Sequence, residues 1–373
     1  MTHRFSNYPS LAACATFVAF CIGGTPSQAG STRQDGGVLA VDTNWADNTV
    51  SLINLSSKQE KSVITVGAKP YDIKTDKFGR FAYTTLSGDN EISVIDLAAN
   101  LEAGRIRVGE SPRDFVFTSD FKRLVVANSG SNSISVVDVD SRKELFQVPV
   151  GLVPYGVGVT DDGQFAVISN WGEGTVSFVD LENRKEAKKI EVGHLPYTIA
   201  VNSKTGLAYT NAFGDDKVVV MDLKKQAVVR ELPVGKSPWG LSVTADGKKV
   251  GVANFYSGSI SVVDVDTSGS PTFKISTYEL SGKKPGDAII AADVARKPTD
   301  MASSETVPNI VNRPKHLAIN GAVNMVMWTD LAANTVNTID IDTGVWSGST
   351  KVGHAPYGID FLPQGLGKQA SNY

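Results

Sequence analysis

The chain has 373 residues, a formal charge of −3 and 41% hydrophobic residues, the profile of an ordinary soluble globular protein. Acidic and basic residues are mixed along its length. With no block of like charge, neither a nucleic-acid arm nor a polybasic membrane patch is expected.

At the N-terminus, Arg4 precedes an apolar run from Leu11 to Gly24, and Ser27-Gln28-Ala29 follows it. A positive start, a short apolar stretch and small residues two positions apart read as an export signal cut after about Ala29. Leu11-Ala12-Ala13-Cys14 resembles a lipoprotein box, but the apolar residues follow Cys14 rather than precede it, so simple cleavage is the reading taken. Both cysteines, Cys14 and Cys21, fall inside the signal. The mature chain, residues 30–373, is then a cysteine-free single domain in the periplasm or outside the cell, with no transmembrane segment, and is expected to be a monomer.

From residue 38 onward one unit repeats. Pro70, Pro112, Pro154, Pro196 and Pro238 stand 42 residues apart in VGAKPYDI, VGESPRDF, VGLVPYGV, VGHLPYTI and VGKSPWGL. Pro314 and Pro356 are again 42 apart, after one step of 76, which is one period plus a 34-residue insertion. A second series agrees: strands of the SVVDV type end at Asn54, Asp96, Asp138, Asp180, Asp222, Asp264 and Asp340. Within the unit opened by Pro154, four strands are expected at Tyr155–Thr160, Phe165–Asn170, Thr175–Leu181 and Lys188–Val192. Val, Ile, Phe and Tyr fill these runs, and Gly, Asp and Asn separate them.

Four strands in about 42 residues, seven times over, specify an all-β, seven-bladed propeller of four-stranded antiparallel blades. The first unit lacks its proline-bearing strand and the last proline is followed by one strand only. The C-terminal strand Tyr357–Leu362 is therefore expected to close the ring against Val38–Asn44 and Thr49–Leu55. The insertion, about residues 282–311, is expected on the channel-mouth face, with a short helix in AIIAADVARK (Ala288–Lys297).

These units resemble the YVTN family of β-propeller repeats, through the VGxxPY segment, the Asp-Gly turn, strand ends such as VVAN (Val125–Asn128) and the SVVD strand. The resemblance covers nearly all of residues 38–362. It implies an exported propeller and carries no one activity, because such repeats bind varied partners.

A propeller places ligands where the loops before strand one meet those between strands two and three. Residues after the prolines should ring that mouth: Tyr71, Arg113, Tyr155, Tyr197, Trp239, Lys315 and Tyr357, with Trp45 and Trp171 on the neighbouring loops. The repeated tyrosines read first as packing elements wedged between blades. Arg113 and Lys315 break that pattern with two cations, and His316 follows. They could grip an anion with Trp and Tyr rings stacked beside it; alternatively Arg113 pairs with Asp72 or Asp114 and Lys315 is solvated. His316 and His354 lie on adjacent blades and could approach each other. No HxH, HExxH, CxxC, CxxCH, GxSxG or Walker pattern occurs, so no catalytic residue and no metal site are assigned.

The leading reading is a non-catalytic binding module whose channel mouth takes a small anionic or aromatic ligand or a protein partner, through Arg113, Trp45, Trp171, Trp239, His316, Lys315, Tyr155, Tyr197 and Tyr357. Two alternatives stand beside it. One is a propeller enzyme, a lactonase or an oxidoreductase with a non-covalent cofactor such as haem d1 or a quinone. The other is a structural or adhesive surface protein. No cofactor is assigned from the sequence.

Overall fold

The computed structural model describes residues 39–280, 291–293, 314–321, 324–341 and 344–363. The expected export signal and nearly all of the insertion lie outside them. Among the described residues, seven antiparallel sheets follow one another in chain order. Blades 1 to 6 are opened by Pro70, Pro112, Pro154, Pro196, Pro238 and Pro314. Blade 7 combines the last strand, Pro356–Phe361, with Leu39–Asn44, Thr49–Asn54 and Gln59–Thr65. The closing strand pairs antiparallel to the first, with Ala40 opposite Phe361 and Asp42 opposite Ile359. This is the predicted ring closure, and it hides what would be an open edge at each chain end.

Burial grades from the inside outward. The proline-bearing strand of each blade is mostly covered, whereas fourth strands such as Lys185–Glu191 are largely exposed. Among the described residues seven apolar clusters hold the ring, each shared by two consecutive blades. The cluster joining blades 6 and 7, with Met327 and Val336 against Ala40, Ile53 and Ile359, closes the circle hydrophobically as well.

Among the described residues, loops before the prolines are held from one or both of two sides. Asn48, Asn90, Asn132 and Asn334 adopt the left-handed conformation that Asn tolerates, and their Oδ1 atoms accept the N–H groups of Lys69, Ser111, Val153 and Ala355. From the turn between strands two and three, Asp89, Ser131, Asp215, Ser257 and Asp47 accept the N–H groups of Ala68, Glu110, His194, Lys236 and His354. The repeated Asn at the end of strand two donates within its turn, as Asn44 does to Thr49 and Ser51. The repeated Asp after strand three caps the next turn, as Asp138 does for Ser141. These are the structural roles expected for repeated positions.

Two local expectations need correction. The fourth strand of blade 3 starts at Lys185, not Lys188, because a bulge at Ala187 interrupts the alternation that marks a strand. In the insertion, Ala291–Asp293 is not helical. It adds a fifth strand to blade 5, with Thr277 opposite Ala292, where the open blade edge supplies unpaired backbone groups. The rest of Ala288–Lys297 lies outside the described residues.

Candidate functional site

Every innermost strand carries the same irregularity. In blade 3, Pro154 pairs with Asn170 and Val157 with Ile168, so two residues, Tyr155 and Gly156, face one, Ser169. The bulge recurs after all seven prolines. A bulge re-aims side chains, and here it turns the first residue into the channel and the second toward the next blade. The second position is tight: a Cβ at Gly156 would lie 2.5 Å from the carbonyl oxygen of Tyr197, and one at Gly240 2.5 Å from that of Lys315.

The tyrosines therefore do not wedge between blades. They meet across the channel and fill it. The hydroxyls of Tyr71 on blade 1 and Tyr197 on blade 4 are hydrogen-bonded, and Tyr71 also donates to Tyr357 at 3.3 Å. Tyr155 packs on Tyr197 with ring centroids 4.6 Å apart, and Tyr197 on Trp239 at 4.9 Å. Burial first, then neighbouring phenols, pushes the Tyr71 hydroxyl well above its usual range, and burial raises Tyr197 and Tyr357 as well, so these three stay neutral.

The two cations stand where both ring neighbours are aromatic. The Arg113 guanidinium lies 4.7 Å from the Tyr71 ring and 5.2 Å from Tyr155. Lys315 Nζ lies 3.1 Å from the Tyr357 ring and 4.4 Å from Trp239. Neither forms an ion pair among the described residues: Arg113 donates only to Ser129 Oγ, at 3.2 Å. The expected pairing of Arg113 with Asp72 or Asp114 is not found, because Lys74 holds Asp72 at 2.7 Å and approaches Asp114 at 3.9 Å.

Lys315 is not solvated either; it is 4% exposed. Burial, with the charge of Arg113 adding to it, pushes its pKa from 10.5 down to about 6. The two ring faces favour the ammonium by roughly 2 kcal/mol, about a thirty-fold effect, and so recover only part of that fall. Trp239 contributes a further unmet group on the ring beneath Lys315: its Nε1–H is buried without an acceptor. His316 is packed against Tyr71 and Tyr357, with centroids 6.3 and 5.6 Å away. Burial pushes it down to about 4, so it is neutral at pH 7, and its Nε2 has no partner.

Below the plug, Asp72, Lys74, Asp114 and Asp360 form a network; sequence reasoning named Asp72 and Asp114 only as partners for Arg113 and missed Lys74 and Asp360. Asp114 is pushed well up by burial and by Asp72, so it carries the proton of that pair. Burial acts most strongly on Asp72 and pushes it up, but the charge of Lys74 and the hydrogen bond from Asp114 together bring its pKa below the usual carboxylate value. Asp360 accepts the Thr75 N–H at 2.9 Å. Aligning the second bulge position across blades (Asp72, Asp114, Gly156, Thr198, Gly240, His316, Gly358) would have flagged the two acids.

The other predicted residues separate. Trp171 extends the cluster over Tyr155 at 5.9 Å. Phe213 and Phe255 continue it from Trp239, at 5.4 and 5.1 Å. Trp45 stands apart at the rim, under Lys69 at 5.5 Å. His354 is also at the rim, bonded to Asp47 at 3.0 Å and 73% exposed, and it does not join His316. His194 makes the same contact with Asp215 at 2.8 Å. Among the described residues no group of three or more His, Cys, Asp or Glu side chains converges as metal ligands, and no helix is long and apolar enough to cross a membrane.

Geometry defines the class as a seven-bladed β-propeller whose channel mouth is closed by an aromatic and cationic plug. Residues 79–277 match the YNCE-like beta-propeller family, and the chain belongs to that family. No curated protein matches it. Among solved structures it is similar to a functionally unknown protein from Desulfotomaculum acetoxidans, at TM-score 0.69 and 12% identity over 87% of this chain and 98% of that one. It is also similar to hydrazine synthase of Kuenenia stuttgartiensis, at TM-score 0.61 and 16% identity over 79% and 90%. A third likeness is to the dihydro-haem d1 dehydrogenase NirN, at TM-score 0.58 and 14% identity over 88% and 76%. At such identities the likeness concerns the fold alone.

Proposed function

We propose that this protein is an exported, non-catalytic binding propeller with YVTN-type repeats, whose channel mouth takes a small ligand bearing an anionic group. The observation that carries the reading is the Arg113 guanidinium, set among ring faces with no carboxylate partner among the described residues, with the Lys315 amine in the same setting and able to take up a proton when an anion binds. Uncompensated positive charge in a low-dielectric site is costly, and a bound anion offsets that cost. The unpartnered Trp239 Nε1–H adds a donor, and the rings of Trp171, Tyr155 and Tyr357 offer flat apolar surface beside the charge.

The enzyme alternative with a channel-bound cofactor meets a filled channel. NirN is described in complex with DHE, but here a macrocycle along the axis would require Tyr71, Tyr197 and Tyr357 to leave it. The residues present do not fit such a group, and no step is derived through one.

The test is thermal unfolding with acetate, oxalate or sulfate, each against a neutral analogue, for wild type, Arg113→Met and Lys315→Met. Binding only to the folded state raises the midpoint by mass action. The wild type is expected to rise with at least one anion and the variants to lose that increment. Equal increments in all three proteins would end the assignment.

A further inference from the structure

We infer that the outer edge of blade 5 is a strand-addition surface, which takes an extended segment of a partner polypeptide with apolar residues at alternate positions. It is independent of the channel mouth. Among the described residues, the third and fourth strands of the other six blades pair with a bulge at the same point, as at Val136/Val137 in blade 2 and Val220/Met221 in blade 4. A bulge bends and twists an outer strand and so spoils its edge as a template for another chain. Blade 5 lacks it: Ser259–Asp266 and Thr272–Glu279 pair residue for residue along their whole length. The same blade holds a fifth strand, Ala291–Asp293, on that edge. The regular edge and the strand seated on it point to one property from two sides.

The seated strand covers part of the edge only. It pairs with Ser276, Thr277 and Tyr278, so Thr272–Ile275 have no strand on their outer side among the described residues. A longer strand running the whole edge would add the backbone hydrogen bonds of those positions, and such bonds are the source of affinity in strand addition. The edge also sets the chemistry of its occupant. Phe273 and Ile275 are half-buried and pack against the apolar cluster that blade 5 shares with blade 4. Val229, 43% exposed, stands on the outer strand of blade 4. Apolar side chains opposite Phe273 and Ile275 would continue that cluster outward, whereas Lys274 and Ser276 alternate onto the other face and suit polar ones. The three-residue strand is thus the resident occupant, and a longer partner strand displaces it.

The test uses the full-length protein and a synthetic peptide with the sequence of residues 288–297, AIIAADVARK, which contains the seated strand. Ala291→Pro together with Ala292→Pro removes two N–H groups from the resident strand and should free the edge. In hydrogen exchange, amides of Thr272–Glu279 are expected to exchange faster in this variant and to slow again when the peptide is added. Labelled peptide, followed by fluorescence anisotropy, should bind the variant roughly tenfold or more tighter than wild type, where the tethered strand competes. The register that pairs Thr277 with Ala292 sets peptide position 296 opposite Phe273, so Arg296→Val in the peptide should tighten binding further. Backbone N-methylation of the peptide should abolish it. Exchange in Thr272–Glu279 that neither the prolines nor the peptide alter would overturn the inference. Protection of these amides by dimerisation of the variant without peptide would overturn the choice of a foreign strand as occupant.

Discussion

Lys74 and Lys315 both sit on innermost strands of the ring, and their surroundings push their pKa values in opposite directions. Lys74 lies on the channel wall among Asp72, Asp114 and Asp360, and those acids keep it charged against the cost of burial. Lys315 lies in the plug among rings, beside Arg113, and burial takes its pKa down to about 6. One layer of the channel is electrostatically complete and the other is not. The difference locates a site without any motif, because an unbalanced charge in a covered place is unfavourable unless something else binds there.

The largest effect should come from removing the buried Lys315 amine. Lys315 has a depressed pKa, so between about 6 and 10.5 the unfolded chain binds the extra proton and wild-type stability rises with pH. Lys315→Met should remove that slope. Its gain over wild type should be absent above pH 10.5, grow as pH falls, and level off below about 6, reaching roughly 4 kcal/mol after allowance for the lost ring contacts. Denaturant melts at pH 6, 8 and 10 check this. A gain that does not vary with pH would mean Lys315 is charged throughout.

The complementary change unbalances the lower layer. Asp72→Ala leaves Lys74 with Asp114 at 3.9 Å as its nearest remaining acid. Breaking a buried pair costs about 3–5 kcal/mol, and because Lys74 keeps a third of its side chain exposed the expected loss is about 2 kcal/mol. Urea unfolding measures it, and a neutral result would show that the lower network is not balanced by this pair.

A smaller effect is expected at Asp42, in the interface of blades 6 and 7. It is fully covered, and neither carboxyl oxygen has a hydrogen-bond partner. Burial, then the charge of Glu60, raises its pKa well above 3.8. The folded state then holds the proton more tightly, so stability contributed below pH 3.8 is lost as pH rises through the folded pKa. Asp42→Val should stabilise by about 1–2 kcal/mol at pH 7 and by much less below pH 3.8, read from melts at both pH values.

The ring and its closure were legible because spacing survives in sequence: prolines 42 residues apart and a strand missing at each end leave few arrangements. The aim of the repeated tyrosines was not legible. Whether Tyr71 faces a blade or the channel depends on the bulge after Pro70, and a bulge is a property of pairing between strands. Arg113 and Lys315 stood out as departures, yet their partners did not. Nearby acids in sequence suggested an ion pair for Arg113, while the contacts that form come from Tyr71 and Tyr155, 42 residues away on either side. Trp45 illustrates the reverse case, since loop position alone placed it near the mouth and its side chain turns to the rim. Asp42 could have been noticed, because its counterparts in the other blades are Thr84, Val126, Ile168, Thr210, Val252 and Trp328.

The measurement that bears most directly on the mouth as an anion site is an NMR titration of Lys315, labelled at its ε carbon, with and without saturating oxalate. The account predicts a pKa far below 10.5 in the free protein and a rise of at least about one pH unit when the anion is bound, since an opposite charge nearby favours the ammonium. A Lys315 pKa that oxalate leaves unchanged would contradict it.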